Sequence, residues 1–245
     1  MEAYLDNSAT TRVDTQVQEL MKKLMDIDFG NPSSRHQKGV VAEGYIKEAR
    51  QKIAATLKVD PKELIITSGG TESNNMALIG TALAAKRKGN HIITTAVEHP
   101  SVKATASFLE EQGFRITFLS VDSRGQISLE ELKEALTPDT ILVSIMYVNN
   151  EIGTIQPVEE AAKLVHATVP GAVFHVDAIQ AYGKVVIRPK QQGIDLLSVS
   201  SHKFHGPKGA GFLYCSGKVN LHPIIFGGGQ QSGMRSGTEN VPGAA

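Results

Sequence analysis

The sequence predicts an α/β fold: a mostly parallel sheet with helices on both faces. Strand and helix patterns alternate along most of the 245 residues, and this alternation is typical of parallel strands connected by helices. Several polar residues that could carry chemistry follow predicted strands, and an open α/β sheet binds ligands beyond the carboxyl ends of its strands. A chain of this length is larger than a typical single domain but normal for one α/β unit.

Apolar periodicity places the elements, and glycine and proline mark where they end. In chain order the predicted elements are helix 40–57, strand 64–67, helix 72–88, strand 91–95, helix 101–112, strand 115–120, helix 128–136, strand 140–146, helix 158–167, strand 172–176 and the strand pair 195–200 and 210–215. No internal repeat or low-complexity linker interrupts this order. These segments supply a complete sheet and the helices that cover it.

Composition excludes several classes of protein. The 25 basic and 25 acidic residues balance, which gives no sign of a nucleic-acid or membrane surface. The single cysteine excludes an internal disulfide. The amino terminus lacks the features of a signal peptide, and no apolar run approaches ~20 residues. We therefore expect a cytoplasmic protein with no nucleic-acid, membrane or metal partner.

One lysine lies in a dense polar turn after the predicted strand 195–200. Lys203 sits within the segment 198–209, where glycines and a proline follow it. A lysine that is partly desolvated and close to another cation has a lowered pKa and can form a Schiff base with a carbonyl cofactor. Most single lysines are simply solvated. The functional interpretation of Lys203 therefore depends on matching chemistry elsewhere in the chain.

A glycine turn between strand 64–67 and the next helix is typical of an anion site. Gly69 and Gly70 let the backbone approach a ligand closely, and the first amides of a helix have no intrahelical partners. Thr71 adds a hydroxyl donor. A plain helix cap remains an equally good interpretation. The turn matches neither a dinucleotide fingerprint nor a nucleoside triphosphate loop.

Four further residues follow predicted strands. Asp177 ends an apolar run and is either a cap or a ligand contact. Under a pyridine nitrogen, its carboxylate would keep that nitrogen protonated. Gln180 and Asn150 are candidates for hydrogen bonds to a ring hydroxyl, and the imidazole of His99 could stack on a cofactor ring or serve the structure alone.

These motifs together resemble one enzyme family. They are YLDNSATT at 4–11, GNPSSRH at 30–36, SGGTESNN at 68–75, EHP at 98–100, NNEIG at 149–153, HVDA at 175–178, SHK at 201–203 and GGGQQSGMRSGTEN at 227–240. With them the chain closely resembles the cysteine desulfurases of the NifS and IscS type. These belong to the class V aminotransferase group of fold-type I pyridoxal phosphate enzymes. The resemblance implies an α/β/α sandwich, the large domain of such an enzyme.

The resemblance also implies roles for individual residues. Lys203 would hold the cofactor covalently, Asp177 would pair with the pyridine nitrogen and His99 would stack on the ring; these three are the catalytic candidates. The other implied contacts are Asn150 and Gln180 to the ring oxygen, Gly70, Thr71, Ser200 and His202 to the phosphate, Thr238 to the phosphate of a neighbouring subunit, and Asn31 on the substrate side. The implied role of Thr238 makes a homodimer an expectation.

The resemblance implies domain boundaries as well. Residues 1–15 would join the small domain of relatives and 16–245 would form the cofactor-binding large domain, with the carboxy-terminal small domain absent. In the family, the sulfur-accepting cysteine and a carboxylate-binding arginine follow the GTEN segment. Cys215 instead lies in a predicted strand, where we expect it to pack as a small apolar group. We expect this chain to bind pyridoxal 5'-phosphate with little or no desulfurase turnover.

Three functions remain open at this point. The first is a cysteine desulfurase, which converts L-cysteine to L-alanine and passes the sulfur to an acceptor protein, such as an iron–sulfur scaffold, or into tRNA thiolation. The second is selenocysteine lyase or another class V activity with a similar cofactor pocket. The third is a cofactor-binding domain without catalysis.

Overall fold

A computed structural model describes residues 3–245, and its centre is one seven-stranded sheet. The strands are β1 (Leu64–Thr67), β2 (His91–Thr95), β3 (Arg115–Leu119), β4 (Thr140–Met146), β5 (Val173–Asp177), β6 (Leu196–Ser200) and β7 (Gly211–Cys215). Their order across the sheet is β1-β7-β6-β5-β4-β2-β3. Each strand lies within two residues of a predicted one.

The sheet is mostly parallel. Strands β3, β2, β4, β5 and β6 pair in parallel, in that spatial order. Strand β7 is antiparallel to both β6 and β1, so β1 runs in the same direction as β6. Within residues 3–245, β7 is therefore the one strand of this sheet that runs the other way. The carboxyl ends of the remaining six lie along one edge, as the sequence predicted.

Eight α-helices surround the sheet in the described part of the chain. They are α1 (Thr15–Asp26), α2 (Gln37–Leu57), α3 (Gly70–Ala85), α4 (Pro100–Glu111), α5 (Leu129–Ala135), α6 (Val158–Thr168), α7 (Pro189–Gln192) and α8 (Val241–Ala244). Helices α2 to α6 were predicted. Helix α1 was not, although Asp14 caps it by accepting a hydrogen bond from the amide of Gln16 at 2.8 Å. The four-residue helices α7 and α8 are too short to show periodicity.

Two separate cores confirm that helices cover both faces. Neighbouring residues of a strand point to opposite faces. Ile92 of β2 packs with Met76 and Leu109 of α3 and α4. The next residue, Ile93, belongs to the other core with Val165 of α6. A sheet covered on both faces must be apolar throughout its interior. Polar side chains therefore concentrate at its edges, and some of those inside form buried clusters, one of which lies at the centre of the sheet.

That cluster crosses the middle of the sheet. His175 of β5 is fully buried, and its Nδ1 and Nε2 lie 2.8 and 2.9 Å from the hydroxyls of Ser144 on β4 and Ser198 on β6. Burial lowers the pKa of His175 to about 3. The imidazole is therefore neutral near pH 7, with one nitrogen donating and the other accepting. His175 precedes Asp177 by two residues on the same strand, so the two side chains share a face.

The stability of this protein should depend on pH through His175. In the unfolded chain a histidine titrates near ~6.5, so unfolding takes up a proton between that pH and about 3. The stability that comes from a neutral His175 is lost as pH falls through this range. The destabilisation caused by His175→Gln should therefore be about 2 kcal/mol smaller near pH ~4.5 than near pH ~7. Urea unfolding at both pH values measures it.

Leu142→Ala is the control for this measurement. Leu142 is buried in the sheet and does not titrate. The free energy of unfolding lost on Leu142→Ala should therefore be equal at both pH values. An equal cost of His175→Gln at the two pH values would contradict a neutral buried imidazole.

Candidate active site

A cavity of about 470 Å³ opens at the carboxyl edge of the sheet, beyond the ends of β4, β5 and β6. Its lining residues are Asp6, Ser8, Ala9, Gly70, Thr71, His99, Met146, Val148, Asn150, Glu151, Asp177, Ile179, Gln180, Ser200, His202 and Lys203. Nine of the eleven site residues that the sequence proposed are in this set. The strand ends that carry them are far apart in sequence, and the parallel register brings them together.

Lys203 follows β6 through the short 3-10 turn Ser201–Lys203. Its Nζ donates to the carbonyl of Ala9 at 2.9 Å and also to that of Ser8. Burial lowers the pKa of Lys203, and the charge of Lys184 lowers it further, while Asp177, Asp6 and Glu151 oppose this. A larger fraction of the amine is therefore neutral and nucleophilic than for a solvated lysine.

Asp177 is the last residue of β5 and is buried. Its Oδ1 accepts from the amide of Ile179 at 3.0 Å, and its Oδ2 accepts from Nδ2 of Asn74 at 2.8 Å. Burial raises the pKa of Asp177, whereas these two donors favour the carboxylate. A buried carboxylate facing a cavity is suited to pair with a protonated ligand nitrogen.

His99 is the residue that caps α4. Its Nδ1 accepts from the amide of Ser101 at 3.1 Å and lies 2.8 Å from the Ser101 hydroxyl. That hydroxyl also accepts from Nδ2 of Asn74 at 2.9 Å. Since Nδ2 of Asn74 reaches Asp177 as well, a continuous set of hydrogen bonds joins His99 to Asp177.

The anion end of the cavity is the beginning of α3. Gly69 precedes this helix with φ of 143°, a conformation open to glycine, and no side chain caps the helix. A Cβ on Gly70 would clash with Ile179, so the backbone there is closely packed. Ser200 and His202 lie against the same amides. Burial lowers the pKa of His202, as do the charges of Lys203 and Lys208.

This end fits a phosphate group. A bound phosphate needs free amide and hydroxyl donors in a partly positive field. The helix beginning at Gly70 leaves its first amides directed outward, and within residues 3–245 the hydroxyls of Thr71 and Ser200 make no hydrogen bond. The donors at this end of the cavity therefore suit an anionic group, and Asp177 suits a basic ring nitrogen on the same ligand.

Two amide side chains line the opposite wall. Gln180 donates through Nε2 to the carbonyl of Ser8 at 2.8 Å and accepts from Nζ of Lys184 at 3.2 Å. Asn150 donates to Glu151 at 2.6 Å. Both are in place to contact a ligand, and their proposed contact with a ring oxygen stays a prediction.

Two proposed residues lie outside the cavity. Asn31 is exposed, and its Oδ1 accepts from the amide of Ser33 at 2.9 Å. Thr238 is exposed in the segment 227–240, which Arg235 ties to Glu72 of α3 at 2.7 Å. Their roles toward substrate and a neighbouring subunit stay predictions.

The amino-terminal segment contributes more than the sequence indicated. The carbonyls of Ser8 and Ala9 hold Lys203, and the amide of Thr11 donates to the carbonyl of His202 at 2.8 Å. The predicted membership of residues 1–15 in a separate domain stays a prediction, and residues 1–2 of that segment lie outside the described residues. The signal for these contacts was the YLDNSATT motif at 4–11, to which no role was assigned.

Sequence reasoning also missed three buried polar residues behind the cavity: Asn74, Ser101 and Glu98. Oε1 of Glu98 accepts from the amide of Met146 at 2.8 Å and from the hydroxyl of Thr95 at 2.9 Å. Burial, and next the charge of Asp177, raise the pKa of Glu98 to about 8. Glu98 is therefore mostly protonated near pH 7 and connects the ends of β2 and β4.

Cys215 lies at the far edge of the sheet. It is the last residue of the antiparallel strand β7 and pairs with Leu196, the first residue of β6. The two ends of the five-residue strand β6 are about 13 Å apart. Cys215 lies beside the first end, and Lys203 follows the other. Burial raises the pKa of the Cys215 thiol to about 12, so the thiolate that would act as a nucleophile is not available near pH 7. Cys215 packs in the sheet, as predicted.

Comparison with known proteins gives consistent matches over the whole chain. The family described as Aminotransferase class-V matches residues 3–245. The cysteine desulfurase IscS of Dictyoglomus turgidum is 50% identical over 242 residues, which are 99% of this chain and 61% of that relative. A solved NifS-like protein superposes with a TM-score of 0.97 at 45% identity, covering 100% of this chain and 67% of that one. SspA in complex with cysteine superposes with a TM-score of 0.95 at 40% identity, covering 99% and 70%.

The fold and the matches define a class: the chain belongs to the aminotransferase class V family, whose fold-type I members use pyridoxal phosphate. Within that family, its relatives near 50% identity are named cysteine desulfurases. The chain spans about three-fifths of the length of the curated relatives it matches. Among residues 3–245, no helix is long and apolar enough to span a membrane, and no cluster of side chains is suited to hold a metal ion.

Glu98 provides a test of the electrostatics behind the cavity. An unfolded glutamate titrates near ~4.3, and the folded pKa is about 8, so the folded state holds a proton that the unfolded state releases. The stability from protonated Glu98 is present at low pH and is lost as pH rises to about 8. The glutamine of the Glu98→Gln variant stays neutral at every pH. Between pH ~4 and pH ~9, the free energy of unfolding of this variant should therefore rise by roughly 4 kcal/mol relative to that of the unchanged protein.

Unfolding free energies across this pH range measure the effect. Thr95→Val is the matched control, because it removes one hydrogen bond to Glu98 but keeps the carboxyl group, and the pH dependence should persist in it. If the Glu98→Gln variant and the unchanged protein show parallel curves, the assignment of a protonated Glu98 is wrong.

Proposed function

We propose that this chain is the pyridoxal phosphate-binding large domain of a cysteine desulfurase. The whole protein would convert L-cysteine to L-alanine and pass the sulfur to an acceptor protein. The observation that carries the proposal is the shared cavity of Lys203, Asp177 and the uncapped beginning of α3. An amine, a buried acid and an anion site in one cavity are the three groups that this cofactor requires.

Each group has a distinct task in this proposal. When bound, pyridoxal phosphate supplies an electron-withdrawing ring that stabilises negative charge on the substrate. Lys203 would hold the cofactor through its amine and would later move a proton at the substrate. Asp177 would accept a hydrogen bond from the protonated ring nitrogen. The amides of α3, with Thr71, Ser200 and His202, would bind the phosphate, while Asn150 and Gln180 would contact the ring oxygen.

The choice of L-cysteine is supported by the relatives. Those near 50% identity are named cysteine desulfurases, and one structural relative was solved with cysteine. We propose no role for Cys215 in sulfur transfer, because its half-buried thiol, whose pKa is raised to about 12, lies at the opposite edge of the sheet. A homodimer and an iron–sulfur scaffold as acceptor belong to the same proposal. A cytoplasmic location stays a prediction from the sequence.

Lys203→Ala should abolish covalent attachment of the cofactor. The unchanged chain, incubated with pyridoxal phosphate and reduced with borohydride, should carry one added cofactor on a peptide that contains Lys203. Peptide mass spectrometry locates the adduct. Lys208→Ala is the matched control, since Lys208 lies in the same turn but does not line the cavity that contains Lys203, and it should label normally. A specific adduct on another lysine, or none at all, would refute the assignment.

Asp177→Asn should weaken cofactor binding without unfolding the protein. The asparagine keeps the shape of the side chain but loses the charge that holds a protonated ring nitrogen. A charge-assisted hydrogen bond contributes about 1.5–3 kcal/mol, so the dissociation constant for pyridoxal phosphate should rise roughly 10- to 100-fold. An absorbance titration of the cofactor-free protein measures it.

Asp195→Asn is the control for this substitution. Asp195 is a largely buried acid whose pKa burial also raises, but it lies at the opposite edge of the sheet. It should leave cofactor affinity unchanged. Equal affinities of the Asp177→Asn variant and the unchanged chain would count against pairing with the ring nitrogen.

A further inference from the structure

We infer that Ser101 is a positioning residue that gives the neutral ring of His99 a single tautomer, with the proton on Nε2, and that Asn74 orients the Ser101 hydroxyl toward His99. The inference concerns hydrogen bonds within the chain itself. It rests on the proposed function only for the identity of the ligand that His99 meets.

The hydrogen bonds at Nδ1 determine the tautomer. The amide of Ser101 donates to Nδ1 of His99 at 3.1 Å. A backbone N–H can only donate, so Nδ1 must present a lone pair and cannot carry a proton. The proton of the neutral ring is therefore on Nε2. Because Nδ1 is occupied, Nε2 is the nitrogen left for a ligand in the cavity that His99 lines.

The Ser101 hydroxyl has one consistent orientation. Its oxygen lies 2.9 Å from Nδ2 of Asn74, which donates, and 2.8 Å from Nδ1 of His99. Since the hydroxyl accepts from Asn74, its own hydrogen is free to point to Nδ1. Ser101 thus gives His99 a second donor, and both donors favour the same tautomer.

Asp177 fixes the orientation of Asn74. Nδ2 of Asn74 donates to Oδ2 of Asp177 at 2.8 Å and to the Ser101 hydroxyl at 2.9 Å. Within residues 3–245, the buried Oδ1 of Asn74 has no hydrogen-bond partner. The reversed amide would let Oδ1 accept from Ser101 but would place it against the carboxylate. Asn74 therefore gives both hydrogens of Nδ2 to the site and leaves its oxygen unpaired.

Burial makes these contacts difficult to replace. Asn74 is 0% and Ser101 8% exposed, so bulk water does not reach the atoms that join them. Asn74 donates to both Asp177 and the Ser101 hydroxyl, and Ser101 donates to His99. When its ring is neutral, His99 therefore meets a ligand as a hydrogen-bond donor from Nε2.

Nitrogen NMR of the cofactor-free 245-residue chain tests this inference. Histidine labelled with ¹⁵N gives different shifts for protonated and bare ring nitrogens, and a His99→Gln spectrum identifies the signals of His99 among the eight histidines. For the neutral ring we expect one tautomer, with bare Nδ1 and protonated Nε2. Ser101→Pro removes both the amide donor and the hydroxyl, so it should lose this single-tautomer signature and move both shifts toward an average of the two tautomers. Ser101→Ala and Ser101→Thr keep the amide and should retain it.

Asn74→Leu is the control for the side chain behind Ser101. It removes the donor to the Ser101 hydroxyl and leaves the Ser101 amide in place, so it should retain the single-tautomer signature. A protonated Nδ1 in the unchanged chain would overturn the inference, whether or not the variants fold. A single-tautomer signature that persists in Ser101→Pro, or that is lost in Asn74→Leu, would overturn it as well.

Cofactor loading distinguishes this inference from the proposed function. A chain with the expected His99 tautomer that takes up no pyridoxal phosphate would refute the proposed function and leave the tautomer assignment in place. A chain that loads the cofactor on Lys203 but shows the other tautomer would refute the tautomer assignment and leave the proposed function in place.

Discussion

The burial of the sheet on both faces is the constraint from which the site follows. Helices cover both sides of the strands, so a polar group inside the sheet must find a partner there, as His175 does between two serines. Elsewhere, polar chemistry is restricted to the strand ends. Six strands end along one edge, and the residues after β4, β5 and β6 therefore meet around one cavity although they are distant in sequence.

Charge at this edge is limited by the same burial. Asp177 and Glu98 are both buried carboxyl groups, and the charge of Asp177 is one cause of the raised pKa of Glu98. Asp177 receives hydrogen bonds from Asn74 and Ile179 that favour its ionised form, whereas an oxygen of Glu98 is left unpartnered among the described residues. Burial therefore raises the pKa of both acids, and Glu98 keeps its proton near pH 7 and serves the structure.

Much of this arrangement was predictable from local sequence. Strands 64–67, 91–95 and 140–146 match the structure because each is an apolar run between turn residues. Helix α1 could have been predicted from Asp14 and the apolar spacing of residues 17–24. The roles of Asn74 and Ser101 could not, because their contact depends on helices α3 and α4 lying side by side on one face. Helix α3 begins at Gly70, whereas the sequence predicted a start at Glu72. The prediction was two residues late because no side-chain cap marks the first turn.

The beginnings of helices α3 and α4 use one physical property in two ways. The first amides of any helix lack intrahelical partners and favour an acceptor. At α3 no side chain supplies that acceptor, which leaves the amides available to an anion. At α4 the acceptor is Nδ1 of His99, so the helix itself determines which ring nitrogen lacks a proton. The proposed ligand binding at one helix and the inferred control of a tautomer at the other therefore depend on whether the residue before the helix provides a lone pair.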